Sequence, residues 1–156
     1  MARISDVMMK EQPEYPFVFL RKTIRFFEEF EEFSAQSFAR IMAYLDDLGV
    51  LVSDGPIVCF HNMDLERLDV SVGFPLARYV EGDGEIRVEI KGAQRVVTAI
   101  DQGPYEEQDP TLEEVFAWIQ DHHATPLREI YYQYLNDTNR SPQEYLTKMT
   151  IPIAYP

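Results

Sequence analysis

Alternation and three-to-four-residue periodicity divide this chain into strands and helices. From Tyr15 to Ile24 aromatic and branched residues follow one another, the composition of a strand. Between Ser34 and Leu48, Phe38, Ile41, Met42, Leu45 and Leu48 recur at helical steps, which predicts an amphipathic helix capped by Ser34 and ended by Gly49. Two strands follow, Ile57 to His61 and Leu68 to Leu76; in the second, Val70, Val72 and Phe74 alternate with Asp69, Ser71 and Gly73. After the turn signal Glu81-Gly82-Asp83-Gly84, the stretch Glu85 to Lys91 sets Ile86, Val88 and Ile90 against charged neighbours. A further strand, Gln94 to Asp101, leads through Gly103-Pro104-Tyr105 to a second helix. That helix is predicted to start at a capping box, Thr111 with Glu114, and to bury Leu112, Val115, Phe116 and Ile119, with Trp118 beside the stripe. The chain closes with strands over Pro126 to Tyr132 and Leu146 to Ile153.

The order strand, helix, strand, strand thus occurs twice, in halves of about residues 15–80 and 84–156. Neither half offers its helix enough sheet alone, so the pattern predicts a single α+β domain over 1–156. Its expected form is a pseudo-twofold duplication with one antiparallel sheet, both helices on one face, and a cleft along the pseudo-axis as the natural ligand site. The acidic run from Phe26 to Phe33 reads as a connection whose acids favour the positive end of the following helix, or as a docking patch for a basic partner.

Charge narrows the function. Fourteen basic residues against 27 acidic ones give a net charge of -13, which argues against direct nucleic-acid binding and against anionic membrane surfaces. The sole cysteine, Cys59, excludes an internal disulfide and fits a reducing cytoplasm; it reads as a small buried hydrophobe. The N-terminus resembles no signal peptide, and no apolar run approaches membrane length. Phosphate loops, paired CxxC, HExxH and GxSxG motifs do not occur, and His122-His123 point in different directions without a third ligand, so neither metal nor cofactor is expected. His61 beside Asn62 reads as a ligand-orienting group or as a strand-end histidine satisfied by loop backbone. Aromatic residues, 13% of the chain with nine tyrosines and ten phenylalanines, are enough to line a pocket as well as a core. Among them stands Glu129, which shares a strand face with Tyr131: a solvated or Lys148-paired surface acid, or a carboxylate enclosed for a purpose.

Several segments together resemble the GyrI-like effector-binding domain, found alone and as the ligand-sensing part of AraC- and MerR-type multidrug regulators. They are Gly55-Pro56 running into Phe60-His61-Asn62, Asp69 to Pro75, Gly103-Pro104-Tyr105, Trp118-Ile119, Arg128-Glu129-Ile130-Tyr131 and Ile151-Pro152-Ile153. The resemblance implies a central aromatic pocket in which Glu129 faces a lipophilic, cationic ligand, lined by Tyr131 with Trp118, Tyr105 and Phe60 as further walls. It departs from the family pattern at Lys148, where many members carry a second acid, and at Ser71 in the matching first-half position.

Three functions are compatible with these residues. The leading expectation is a stand-alone module that senses or sequesters bulky lipophilic small molecules. An enzyme reading uses Glu129 as general base on a water that opens cyclopropane-bearing electrophilic natural products, a substrate class the resemblance implies because some stand-alone relatives resemble hydrolases of such compounds. The third is an acidic interaction module for a basic protein partner such as gyrase, and a homodimer is compatible with all three. A pocket glutamate serves binding and catalysis alike.

Overall fold

The computed structural model describes residues 2–154. In chain order they form β1 (Ala2–Arg3), β2 (Met8–Gln12), β3 (Tyr15–Ile24), α1 (Phe26–Leu48), β4 (Ile57–Phe60), β5 (Leu68–Pro75), β6 (Arg87–Lys91), β7 (Gln94–Gln102), α2 (Asp109–Asp121), β8 (Thr125–Pro126), β9 (Ile130–Tyr134) and β10 (Leu146–Ala154). The pairings of these strands described below are antiparallel, and the class is α+β.

The chain resolves into two compact units: Glu14–Gly92, and the residues up to Pro13 joined to those from Ala93 onward. In the first, the strands lie in the order β4, β5, β3, β6. In the second, β9, β10 and β7 are neighbours, with β1 and β2 in succession along the far side of β7 and β8 extending the ladder on β10. Each unit therefore contains the strand-helix-strand-strand run (β3-α1-β4-β5 and β7-α2-β9-β10) plus a flanking edge. The edges differ from the sequence reading. The strand expected at the head of the second half pairs with β3 in the first unit, and the polar lead, in which no strand was expected, supplies the edge of β7. Met8 and Met9 are both exposed, so β2 has no buried face to impose alternation; its backbone ladder holds it, with Glu11 paired to Arg95 of β7 at 3.6 Å.

In the first unit, register sets Val18 against Phe74 and Leu20 against Val72, and Val18, Leu20 and Phe74 pack on Ile41 and Leu45 of α1. This helix starts at Phe26, well before the expected Ser34. The acidic run is itself amphipathic: Phe26, Phe30 and Phe33 recur at steps of four and three, with the Phe26 and Phe30 rings stacked at 5.1 Å. Ser34 consequently sits inside the helix, its hydroxyl donating to the Glu31 carbonyl at 3.2 Å. The start is closed instead by the Arg25 N–H, which donates to Glu29 Oε2 at 2.6 Å. Glu29→Ala should lower stability by about 1 kcal/mol, the usual worth of a helix cap, with a parallel fall in thermal midpoint. Gly49 ends the helix as expected, at φ 67°.

In the second unit, Val115 and Ile119 of α2 pack on Val97, Ala99, Ile130, Ile151 and Ile153. The predicted capping box does not form. The helix begins at Asp109, Thr111 is buried with its hydroxyl donating to Asp101 Oδ1 at 2.5 Å, and Glu114 pairs with Arg3. Among the described residues no helix is long and apolar enough to cross a membrane.

Candidate functional site

Strand alternation decides which side chains of the second unit can share a site. Val97, Ala99, Ile130, Tyr132, Ile151 and Ile153 belong to the α2 core, so Thr98, Ile100, Tyr131, Gln133, Lys148 and Thr150 take the opposite face. The register arranges the latter in two rows, Ile100–Lys148–Gln133 and Thr98–Thr150–Tyr131. Thr98 and Tyr131 are each only 6% exposed and Gln133 7%. The Thr98 and Thr150 hydroxyls meet at 3.5 Å. Hydroxyl, amide and ammonium groups thus gather on the face away from the helix, a polar-and-aromatic surface of the kind ligand sites use.

Glu129 joins this face by an irregularity. Pro126 stands opposite Ile153 and Tyr131 opposite Thr150, so five residue steps on one side face three on the other. The segment Leu127–Glu129 thus bulges out of the ladder, tied back by the Leu127 N–H to the Pro152 carbonyl at 2.8 Å. Bulges of this kind re-aim side chains. The half-buried Glu129 carboxylate accepts the Tyr131 hydroxyl at 3.0 Å through Oε1. This is a charge-assisted hydrogen bond, stronger than one between neutral groups.

The five residues expected around one pocket divide. Glu129 and Tyr131 come together. Trp118 lies on α2, stacked on His122 at 3.6 Å and packed against the α2 core. Tyr105 lies against Tyr145 at 4.9 Å and Tyr134 at 5.0 Å; Tyr134 shares its strand face with Ile130 and Tyr132, so Tyr105 also belongs to the α2 side. Phe60 is in the first unit, edge-on to Phe26 of α1 at 5.8 Å. The tyrosines of the α2 side are held neutral. Burial, then Asp109, pushes Tyr132 up to about 12; burial, then Tyr105 and Tyr132, pushes Tyr134 up further; burial, then Tyr145, raises Tyr105.

In the first unit, the β5 and β4 faces turned from α1 carry Ser71 opposite Cys59. His61 Nε2 is 2.7 Å from Ser71 Oγ, and its Nδ1 is 3.9 Å from Cys59 Sγ. The histidine is thus satisfied by a side chain, while Asn62 holds the loop, donating to the Arg67 carbonyl and accepting the Asp69 N–H. Arg21 grips Asp69 in a two-pronged pair at 2.7 and 2.8 Å. Of the other two histidines, His122 lies over Trp118 and His123 takes φ 59° just past the end of α2. Thr98, Thr150 and Gln133 were not singled out from sequence. Their signal was there, in polar residues at alternate positions of otherwise apolar strands, but assigning them to a common face requires the register.

The family model for the GyrI-like small molecule binding domain matches residues 5–154, and the chain belongs to that family. It is a small-molecule binding domain. By sequence, none of the curated proteins matches it. Among solved structures it is similar to the C-terminal domain of EcmrR, at 16% identity and TM-score 0.83, covering 97% of this chain and 98% of that one. In the EcmrR–DNA complex the chain spans 58% of the EcmrR polypeptide (16% identity, TM-score 0.82, 97% of this chain). A hydrolase from Listeria innocua is similar at 15% identity and TM-score 0.73, covering 98% of this chain and 94% of the hydrolase. SAV2435, in a structure bound to tetraphenylphosphonium, is similar at 12% identity and TM-score 0.61, covering 96% and 94%. At such identities these likenesses show the fold alone.

Proposed function

We propose that this chain captures bulky, flat lipophilic compounds, cationic ones above all, on the polar face around Glu129 and Tyr131. The observation that carries the reading is the half-buried Glu129 carboxylate, hydrogen-bonded by Tyr131 and set on a face that also carries the Thr98 and Thr150 hydroxyls, the Gln133 amide and the Lys148 ammonium. A delocalised cation brought there loses little hydration, gains a counter-charge and meets an aromatic ring. Family membership supports a small-molecule ligand, and tetraphenylphosphonium in SAV2435 is a lipophilic cation on the same fold. Glu129 Oε1 already accepts the Tyr131 hydroxyl, so it would have to give up that contact to take a proton from water, which favours binding over the hydrolytic use of Glu129.

The test is fluorescence titration with cationic rhodamine 6G and neutral Nile red. Glu129→Gln should weaken the cationic dye by about tenfold or more, the worth of a hydrogen-bonded charge contact, and change the neutral dye little. Equal effects on both dyes would remove Glu129 from the site.

A further inference from the structure

We infer that the ligand of this face carries, besides its cationic group, a hydrocarbon arm that crosses the strands from Glu129 toward β2 and ends against Met8 and Ile4. The inference rests on the binding reading above and adds the chemistry and reach of the ligand's far end. Side-chain directions at this sheet edge follow from the neighbours. Arg3 reaches Glu114 of α2 and Val7 packs against the α2 core, so Ile4 and Met8, each one residue further on, turn to the opposite face. Met8 stands opposite Thr98 in the ladder, and Ile4 continues the β1 register by donating its N–H to the Ile100 carbonyl at 2.9 Å.

The row that holds the Thr98 and Thr150 hydroxyls therefore has two unlike ends. Tyr131, which donates to Glu129, closes it on β9, and Met8 closes it on β2. Three strand spacings separate them, roughly 14 Å. Tyr131 and Thr98 are buried, whereas Met8 and Ile4, beside the half-buried Ile100, are each 54% exposed. An open edge is ordinarily guarded by charge, and here two large apolar groups stand on the rim of the face instead. Methionine, unbranched and polarizable, suits apolar partners of varied shape. Lys10, two residues beyond Met8 and so on the same face, makes the rim a poor place for a ligand's positive end. The cation is thus directed to Glu129 and the hydrocarbon to Met8, which fixes how the molecule lies across the strands. Met8 and Ile4 are accordingly specificity-determining residues that read the arm.

N-alkylquinolinium ions with methyl, butyl and octyl arms keep one flat cation and change only the hydrocarbon, and their binding to the full chain is read by calorimetric titration. Each buried methylene is worth about fourfold, so an octyl arm covered over half its length should favour the octyl over the methyl ion about a hundredfold. Met8→Gln, which keeps the length of the side chain and ends it in an amide, should cut that ratio about tenfold, and Ile4→Thr should lower it as well. Met9→Gln is the control, on the α2 side of the same strand opposite Val97, and should leave the ratio as it was. If the methyl ion binds but the ratio in the parent chain is near one, or survives both Met8→Gln and Ile4→Thr, the arm inference is overturned and the binding reading stands. If the parent chain binds neither the quinolinium ions nor rhodamine 6G, both fall together.

Discussion

Gly73→Ala should lose about 3 kcal/mol of stability or fail to fold, the upper end of what forced overpacking costs. A Cβ built on Gly73 would lie 1.8 Å from the Val18 carbonyl oxygen and 2.9 Å from both Cα and Cβ of Phe19. The obstacles are two backbone atoms of the neighbouring strand β3 and the Cβ fixed to that backbone, none of which can rotate aside. Moving them would break the β3–β5 ladder that aligns Val18 with Phe74 beneath α1. Gly92→Ala is the control, because nothing lies within 4 Å of its Cβ position, and it should stay within about 0.5 kcal/mol of the parent. Urea unfolding of both variants decides the matter. A Gly73→Ala protein as stable as the control would mean that the two strands can separate without loss.

The second large effect is alkaline. Tyr132, pushed up to about 12 in the folded chain, starts from an ordinary value of 10.0, so folding favours its neutral form. The stability this supplies is fully present below pH ~10 and disappears as the pH rises through the folded value, because the unfolded chain ionises first. Two units correspond to about 3 kcal/mol. Tyr134 is shifted in the same direction and deepens the loss. Unfolding free energies at pH 8 and pH 11.5 should therefore fall steeply for the parent and less for Tyr132→Phe. The difference between the two isolates the one phenol from lysines and other groups. Identical slopes would show that Tyr132 ionises freely in the fold.

Local pattern identified most elements because each has one face to bury. β3 was legible from Tyr15 to Ile24 at both ends, and Gly49 marked the end of α1, since only a left-handed residue closes that turn. The early start of α1 was hidden by charge. Reading the glutamates between Phe26 and Phe33 as a solvated connection overlooked that the phenylalanines keep helical phase. β2 escaped because an edge exposed on both faces leaves no periodic trace.

Of the candidate site, one contact was legible in the sequence. Glu129 and Tyr131 lie close in sequence, and the contact between them follows from that proximity. The resemblance grouped Trp118, Tyr105 and Phe60 with them; a sheet has two faces, and the register and ring contacts place Trp118 and Tyr105 on the α2 side and Phe60 against Phe26 of α1. The bulge before β9 was illegible for a related reason: no residue type announces two extra steps in a ladder, and their presence appears only when Pro126 and Tyr131 are matched to their partners.

If Glu129 meets the ligand as proposed, that bulge separates recognition from folding. Tyr131 and Gln133 are locked into a paired strand, and altering them disturbs the sheet, whereas Leu127, Arg128 and Glu129 sit where the ladder has already been interrupted. Residues there can lengthen, shorten or exchange charge while the strands on either side keep their alignment. On that reading the fold holds the ligand's counter-charge on its most replaceable segment, an arrangement that lets one scaffold change what it recognises without having to be refolded around each new ligand.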